Sequence, residues 1–219
     1  MLVHIMVLMS MDQLQESLKT IGVELKGTEE RREKLLKGTR DVISLCSKSI
    51  VDQHFGKEKE AVEKITNAGI MLAEFRNYAR DDLERYLLTP EQEFVEASIL
   101  LSITRNSKIP GLHDLKVSGP AYVLGLLDSL GEIKRMVYDK IRRGMTEDAR
   151  NLFGTMEEIY GLIYPFAIYD NLVNGIKRKL DVNKMLIEDV RALITEESRR
   201  ESMVGAIKQL ETRLARSQP

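Results

Sequence analysis

Apolar residues recur three and four positions apart along most of this chain, the spacing of amphipathic helices, and strong strand signals are missing. A first helix is predicted over Asp12 to Val23. Thr28, followed by Glu29 and Glu30, reads as the start of a second, since threonine satisfies free amides and acids favour the positive helix end. Arg31 three positions later rules out a capping box. This second helix carries Leu35, Leu36, Val42, Ile43, Leu45 and Ile50 and stops at His54, Phe55 and Gly56. A third covers residues 57–86, with Val62, Ile65, Ile70, Leu72 and Phe75 inward. Thr89 and Pro90 open the next, through Phe94, Ala97, Leu101 and Ile103. The longest loop runs from Asn106 to Pro120, marked by prolines and glycines. Further helices follow over Ala121 to Arg143, Thr146 to Tyr169, and Leu172 to Ile194. The expected fold is all-α: one antiparallel bundle of about seven helices. Residues 1–27 form an N-terminal extension with a short helix, 28–195 the main domain, and 196–219 a polar terminal helix or tail that is solvated or meets another copy.

Composition narrows the function classes. Charged residues make up 31% and hydrophobic ones 43%, which suits a folded domain rather than a disordered one. A net charge of −1 means that any nucleic-acid contact rests on a local basic surface. The single cysteine, Cys46, lies among apolar residues and reads as a buried thiol in a reducing, cytoplasmic setting. The apolar opening MLVHIMVLM is nine residues long, too short to span a bilayer, and reads as an extension or a small packing strand.

Two acidic pairs carry the candidate chemistry. Glu93 and Glu96 are three apart, so they share a helix face that leads into Leu100 and Ile103. Asp128 and Glu132 are four apart on the stripe of Leu124, with Gly131 leaving space beside the backbone. Carboxylates from two helices suit a hard Mg²⁺ ion, which can activate water at a phosphate. Glutamate pairs at this spacing are also commonplace on solvated faces, so spacing alone leaves both readings open. Di-iron sites need Glu-x-x-His pairs, but Ile99 stands three after Glu96. His4, His54 and His113 are scattered, which argues against zinc or a histidine base, and no phosphate-binding glycine loop is present. Basic residues gather on the second predicted helix, Lys37 and Arg40 among them, and again after Glu132, where Arg135 lies on the side of the acids. Arg135 either holds a phosphate there or pairs with Glu132.

Glu93, Phe94, Val95, Glu96 and Ala97 resemble the E-[YF]-V-E-A segment of the translin/Trax family on its Trax side. The stretch YVLGLLDSLGEIKRM, Tyr122 to Met136, resembles the family's Y-L-L-G-x-x-D-L-x-G-E-L-x-R-M helix. The region from Arg32 to Lys48 is similar to the first long helix, and Leu152 to Ile194 more loosely to the last two. The resemblance implies a Mg²⁺-dependent endoribonuclease acting on single-stranded RNA, with Mn²⁺ as a substitute ion. Glu93, Glu96 and Asp128 would be the catalytic and metal-holding acids, with Glu132 assisting as a fourth ligand. Lys37, Arg40 and Arg135 would contact RNA, and a homo-oligomer, octameric in the family, is expected. Two alternatives remain. One is a non-catalytic, translin-like protein holding single-stranded RNA or DNA. The other is an all-α nucleotide pyrophosphohydrolase, which normally needs a second E-x-x-D pair that this sequence lacks.

Overall fold

The computed structural model describes residues 2–216, and every regular element among them is helical. The α-helices are α1 (Leu2–His54), α2 (Glu58–Arg76), α3 (Leu88–Thr104), α4 (Leu112–Leu115), α5 (Gly119–Arg142), α6 (Thr146–Ile163) and α7 (Ile176–Arg216). Tight 3-10 turns at Asp81–Leu87 and Tyr164–Tyr169 lead into α3 and follow α6.

Several predicted boundaries shift, each for a local reason. α1 passes Thr28 without a break, because nothing there forbids helical backbone and Gly22 and Gly27 weaken a helix without ending it. Thr28 does not cap; its hydroxyl accepts from the Arg31 guanidinium at 3.3 Å. The N-terminal segment, read as an extension or a small packing strand, forms no strand, since the backbone of residues 2–10 belongs to the same helix, and Met1 lies outside the described residues. Helix α1 does stop where glycine predicts, with Gly56 at φ +72°, and Gly144 at the same φ closes α5. The third helix ends ten residues early, at Arg76. Its inward stripe is Ala61, Ala68, Leu72 and Phe75, whereas Ile70 is 64% exposed, so small alanines mark the seam that a search for large residues missed. Leu172, read as helical, is exposed ahead of α7, which then runs unbroken through the expected boundary at residue 196.

Side-chain contacts set the helix directions. Arg32 Nε donates to Tyr86 Oη at 3.0 Å just before α3, and Gln53 Nε2 donates to the Ala97 carbonyl at 3.1 Å, so α1 and α3 run side by side in the same direction. The Ser118 amide donates to Glu91 at 2.9 Å at the start of α5, and α5 climbs parallel to α3. Lys179 meets Asp128 and Lys134 meets Asp189, so α7 is parallel to α5. α2 and α6 return in the opposite sense: Ser49 bonds the Ala61 carbonyl while Gly38 lies against Phe75, and Arg150 pairs with Glu201 while Glu157 pairs with Arg191. The bundle holds two apolar centres. Leu35, Val42, Cys46, Leu72, Val95 and Leu100 fill the first, and Leu127, Leu130, Ile133, Met156, Ile176 and Val190 the second.

α3 and α5 approach each other closely at one glycine. A Cβ on Gly125 would lie 2.5 Å from the Gln92 carbonyl oxygen and 2.6 Å from Val95 Cβ. Only hydrogen fits there, so the acid-bearing turns of the two helices sit against each other. Glu91, one residue earlier, is buried and anchors the same corner, taking both Nε and one terminal nitrogen of Arg76 at 3.3 Å. Gly131, by contrast, has nothing within 4 Å of its Cβ position. Gly125→Leu is expected to destabilise the protein by about 3 kcal/mol or more in urea unfolding, since overpacking has no room to relax. Gly131→Ala should stabilise it by about 0.5–1 kcal/mol through helix propensity.

Candidate active site

The helical repeat puts Glu93 and Glu96 on the side of α3 that looks towards α5, where Asp128 and Glu132 stand one turn apart. All four carboxylates share one field. Burial, followed by the charges of Asp128, Glu93 and Glu132, pushes the Glu96 carboxyl up to about 8, against the pull of Lys179. Burial and Asp128 raise Glu93 in the same way. Cys46 on α1 lies near the pair: burial first, then Glu93 and Glu96, push its thiol up to about 12, which leaves it inert.

The α5 acids are compensated individually. Asp128 takes the Lys179 ammonium on one oxygen and the Gln92 amide on the other. His54, whose ring side chain is 5% exposed, donates through Nε2 to Glu132. That bond, supported by Arg135, holds the Glu132 carboxyl below its ordinary range. Beside Asp128 opens a groove of about 490 Å³ between α5 and α7, lined by Leu127, Gly131, Arg178, Lys179 and Asn183.

The structure thus gathers Glu93, Glu96, Asp128 and Glu132, with Arg135 at their rim, 3.8 Å from Glu132. It does not bring in Lys37 and Arg40. Both are exposed on α1, on the side away from Thr39, Val42 and Cys46, so the helical period turns them from the acids. Sequence reading missed Lys179, His54 and Gln92. His54 was set aside as a helix-end histidine, and its partner is 78 residues away. Lys179 had a legible signal, a cation bordering the apolar positions Ile176 and Leu180, next to the buried Asn183. Among the described residues, no three His, Cys, Asp or Glu side chains are gathered as a finished metal cage. No described helix is long and apolar enough to cross a membrane.

A raised carboxyl pKa means that the folded state keeps a proton the unfolded state has lost. Stability of the metal-free protein therefore falls as pH rises from the ordinary glutamate range through about 8, and levels off above it. Glu96→Gln removes that slope. In chelator, urea unfolding of this variant at pH 8.5 should show a gain of about 1–3 kcal/mol over the parent, shrinking to near zero at pH 4.5.

No family model matches the chain. An uncharacterized protein of Methanocaldococcus jannaschii is 30% identical over 160 residues, which cover 72% of each chain. The crystal structure of AfC3PO superposes with a TM-score of 0.76 at 30% identity, over 84% of this chain and 97% of that one. AfC3PO in complex with duplex RNA matches over the same shares, with a TM-score of 0.76 and 27% identity. Apo-NeC3PO shares the fold at 21% identity, with a TM-score of 0.70 over 81% of this chain and 95% of its own. The match to AfC3PO, itself of the translin/Trax type, runs along nearly its whole length, and the chain belongs to the translin/Trax family.

Proposed function

We propose that this protein is a Mg²⁺-dependent endoribonuclease that hydrolyses single-stranded RNA. The observation that carries the reading is the charge imbalance around Glu96: four carboxylates from two helices share one half-buried field, with Lys179 the cation that works against it at both Glu93 and Glu96. Carboxylates held together at such electrostatic cost suit a hard divalent cation. Mg²⁺ asks for one or two direct carboxylates and fills its octahedron with water and phosphate oxygens, so a finished cage of three ligands is not required. Glu93, Glu96 and Asp128 would hold the ion, with Glu132 beside them. Bound there, Mg²⁺ would supply positive charge to the scissile phosphate and lower the pKa of a water.

The protein's own groups supply the rest. His54 orients Glu132 and favours its ionised form, and Gln92 orients one oxygen of Asp128. Lys179 neutralises Asp128, and because it also lines the adjoining groove its ammonium would be available to a phosphate there if Asp128 held an ion. Arg178 and Arg135, at the groove and the rim, would contact neighbouring phosphates. AfC3PO has been captured with duplex RNA, which supports RNA as the polymer. Lys37 and Arg40, facing outward on α1, are left for a more distant stretch of bound strand.

A labelled single-stranded RNA incubated with Mg²⁺ should be cut by the parent protein and left intact in EDTA. Glu96→Ala should lose about 100-fold or more of the rate while its circular dichroism stays helical. Cleavage unchanged by Glu96→Ala would sink the assignment, and salt-sensitive binding without cleavage would favour the binding-only reading. Lys179→Met should lower cleavage by about 10- to 100-fold, yet bind Mn²⁺ more tightly in a spin-resonance titration, because the competing ammonium is gone.

A further inference from the structure

Helix α7 buries one side of itself at Ile176, Leu180, Asn183, Ile187 and Val190. All but one are aliphatic, at the three-and-four spacing of a helix packed into a bundle. Asn183 breaks the series. It is 4% exposed, and a leucine in its place would continue the seam without a desolvated amide. Its Nδ2 donates to the Lys179 carbonyl at 2.9 Å, which settles the orientation of the amide and makes the other atom the acceptor, Oδ1. That oxygen meets no donor. Among the described residues, Asn183 Oδ1 and Gln53 Oε1 are the buried side-chain polar atoms left without a partner. An unpaired acceptor in a helix seam costs stability, and a bound group that brings a donor removes the cost.

The surroundings of Asn183 define the chemistry of that group. Asn183 lines the groove between α5 and α7, whose volume of about 490 Å³ is that of a small-molecule pocket. Leu127, Val182 and Leu186 give the groove apolar walls that an uncharged ring can cover. Gly131 and Gly175 have nothing within 4 Å of their Cβ positions, which leaves room beside both helices. Asp128 borders the same space, so a strand with one phosphate at the acids puts an adjoining nucleoside into it.

The unpaired acceptor discriminates among bases. A purine buries more apolar area against these walls than a pyrimidine does. On the edge that carries N7, adenine offers an amine beside one acceptor, and an asparagine amide matches it by accepting from N6 and donating to N7. Guanine offers O6 and N7 on that edge, two acceptors, and O6 would set lone pairs against Oδ1. Asn183 has a second Nδ2 hydrogen for N7, since the Lys179 carbonyl takes only one.

We propose that the α5–α7 groove is a nucleobase subsite, selective for adenine through Asn183, for the nucleotide next to the phosphate held at the acids. The subsite rests on RNA as the polymer of the nuclease reading and names the base that is read.

The test uses two labelled twelve-nucleotide RNAs, one all adenosine and one all purine riboside, which lacks only the 6-amino group. Every position in each strand is the same, so sliding of the strand does not change what the subsite meets. Fluorescence anisotropy with the full-length protein in Ca²⁺, with strand length checked on a gel, should show the adenosine strand bound about tenfold more tightly. Asn183→Leu, which continues the aliphatic seam, should bring the two affinities within about twofold of each other. Val182→Trp, at a position 43% exposed, fills the groove and should also erase the preference. Equal affinity of the parent protein for both strands overturns the proposal, as does a preference that survives both substitutions, or no binding to either strand. Cleavage of the adenosine strand in Mg²⁺, followed in parallel, tests the nuclease reading separately. A preference lost in Asn183→Leu without cleavage supports the subsite and removes the nuclease, whereas cleavage without any preference removes the subsite alone.

Discussion

The closeness of α3 and α5 at Gly125 is the constraint on which the rest of the site depends. A side chain there would collide with the Gln92 carbonyl and with Val95, so no side chain can stand on α5 at this contact. That contact lies within one turn of Asp128 on α5 and beside Glu93 and Glu96 on α3. It brings two unremarkable acidic pairs, each alone at home on a solvated face, within electrostatic reach of each other. Glu91 and Arg76 lock the base of the same corner, and the Ser118 amide ties the start of α5 to it.

Bringing the acids together has an electrostatic cost, and its distribution is uneven. The α5 acids are satisfied one by one, Asp128 by Lys179 and Gln92, Glu132 by His54. The α3 acids receive only indirect relief, and burial outweighs it. A fold selected for stability alone would neutralise such a position; the local conflict between stability and charge is where a functional site is to be expected. The groove between α5 and α7 opens at Asp128 and carries Arg178 and Lys179 on its far wall.

The two ends of the molecule show a different logic. The central part of α1 buries its seam against α2 and α3, yet the helix carries the same spacing outward through Leu25 to Met11. α7 does the same at the other end with its opposite face.

The helical period alone determined the all-α class, because it depends only on local spacing, and it also put Glu93 with Glu96 and Asp128 with Glu132 on shared faces. Glycine stops at Gly56 and Gly144 were equally legible, since a left-handed residue is a local demand. The break expected at Thr28 failed because a capping residue permits a helix start without compelling one, and the long seam of α1 overrode it. Ile70 was placed inside because hydrophobicity was read without knowing which face met a neighbour; the seam turned out to run through Ala61 and Ala68. Which helices are adjacent was beyond any local signal. Lys179 reaches Asp128 across 51 residues and His54 reaches Glu132 across 78, and only the packing of α1, α5 and α7 could decide those pairs. The same packing turned Lys37 and Arg40 outward, because a charge count along the chain carries no information about which side of a helix is covered.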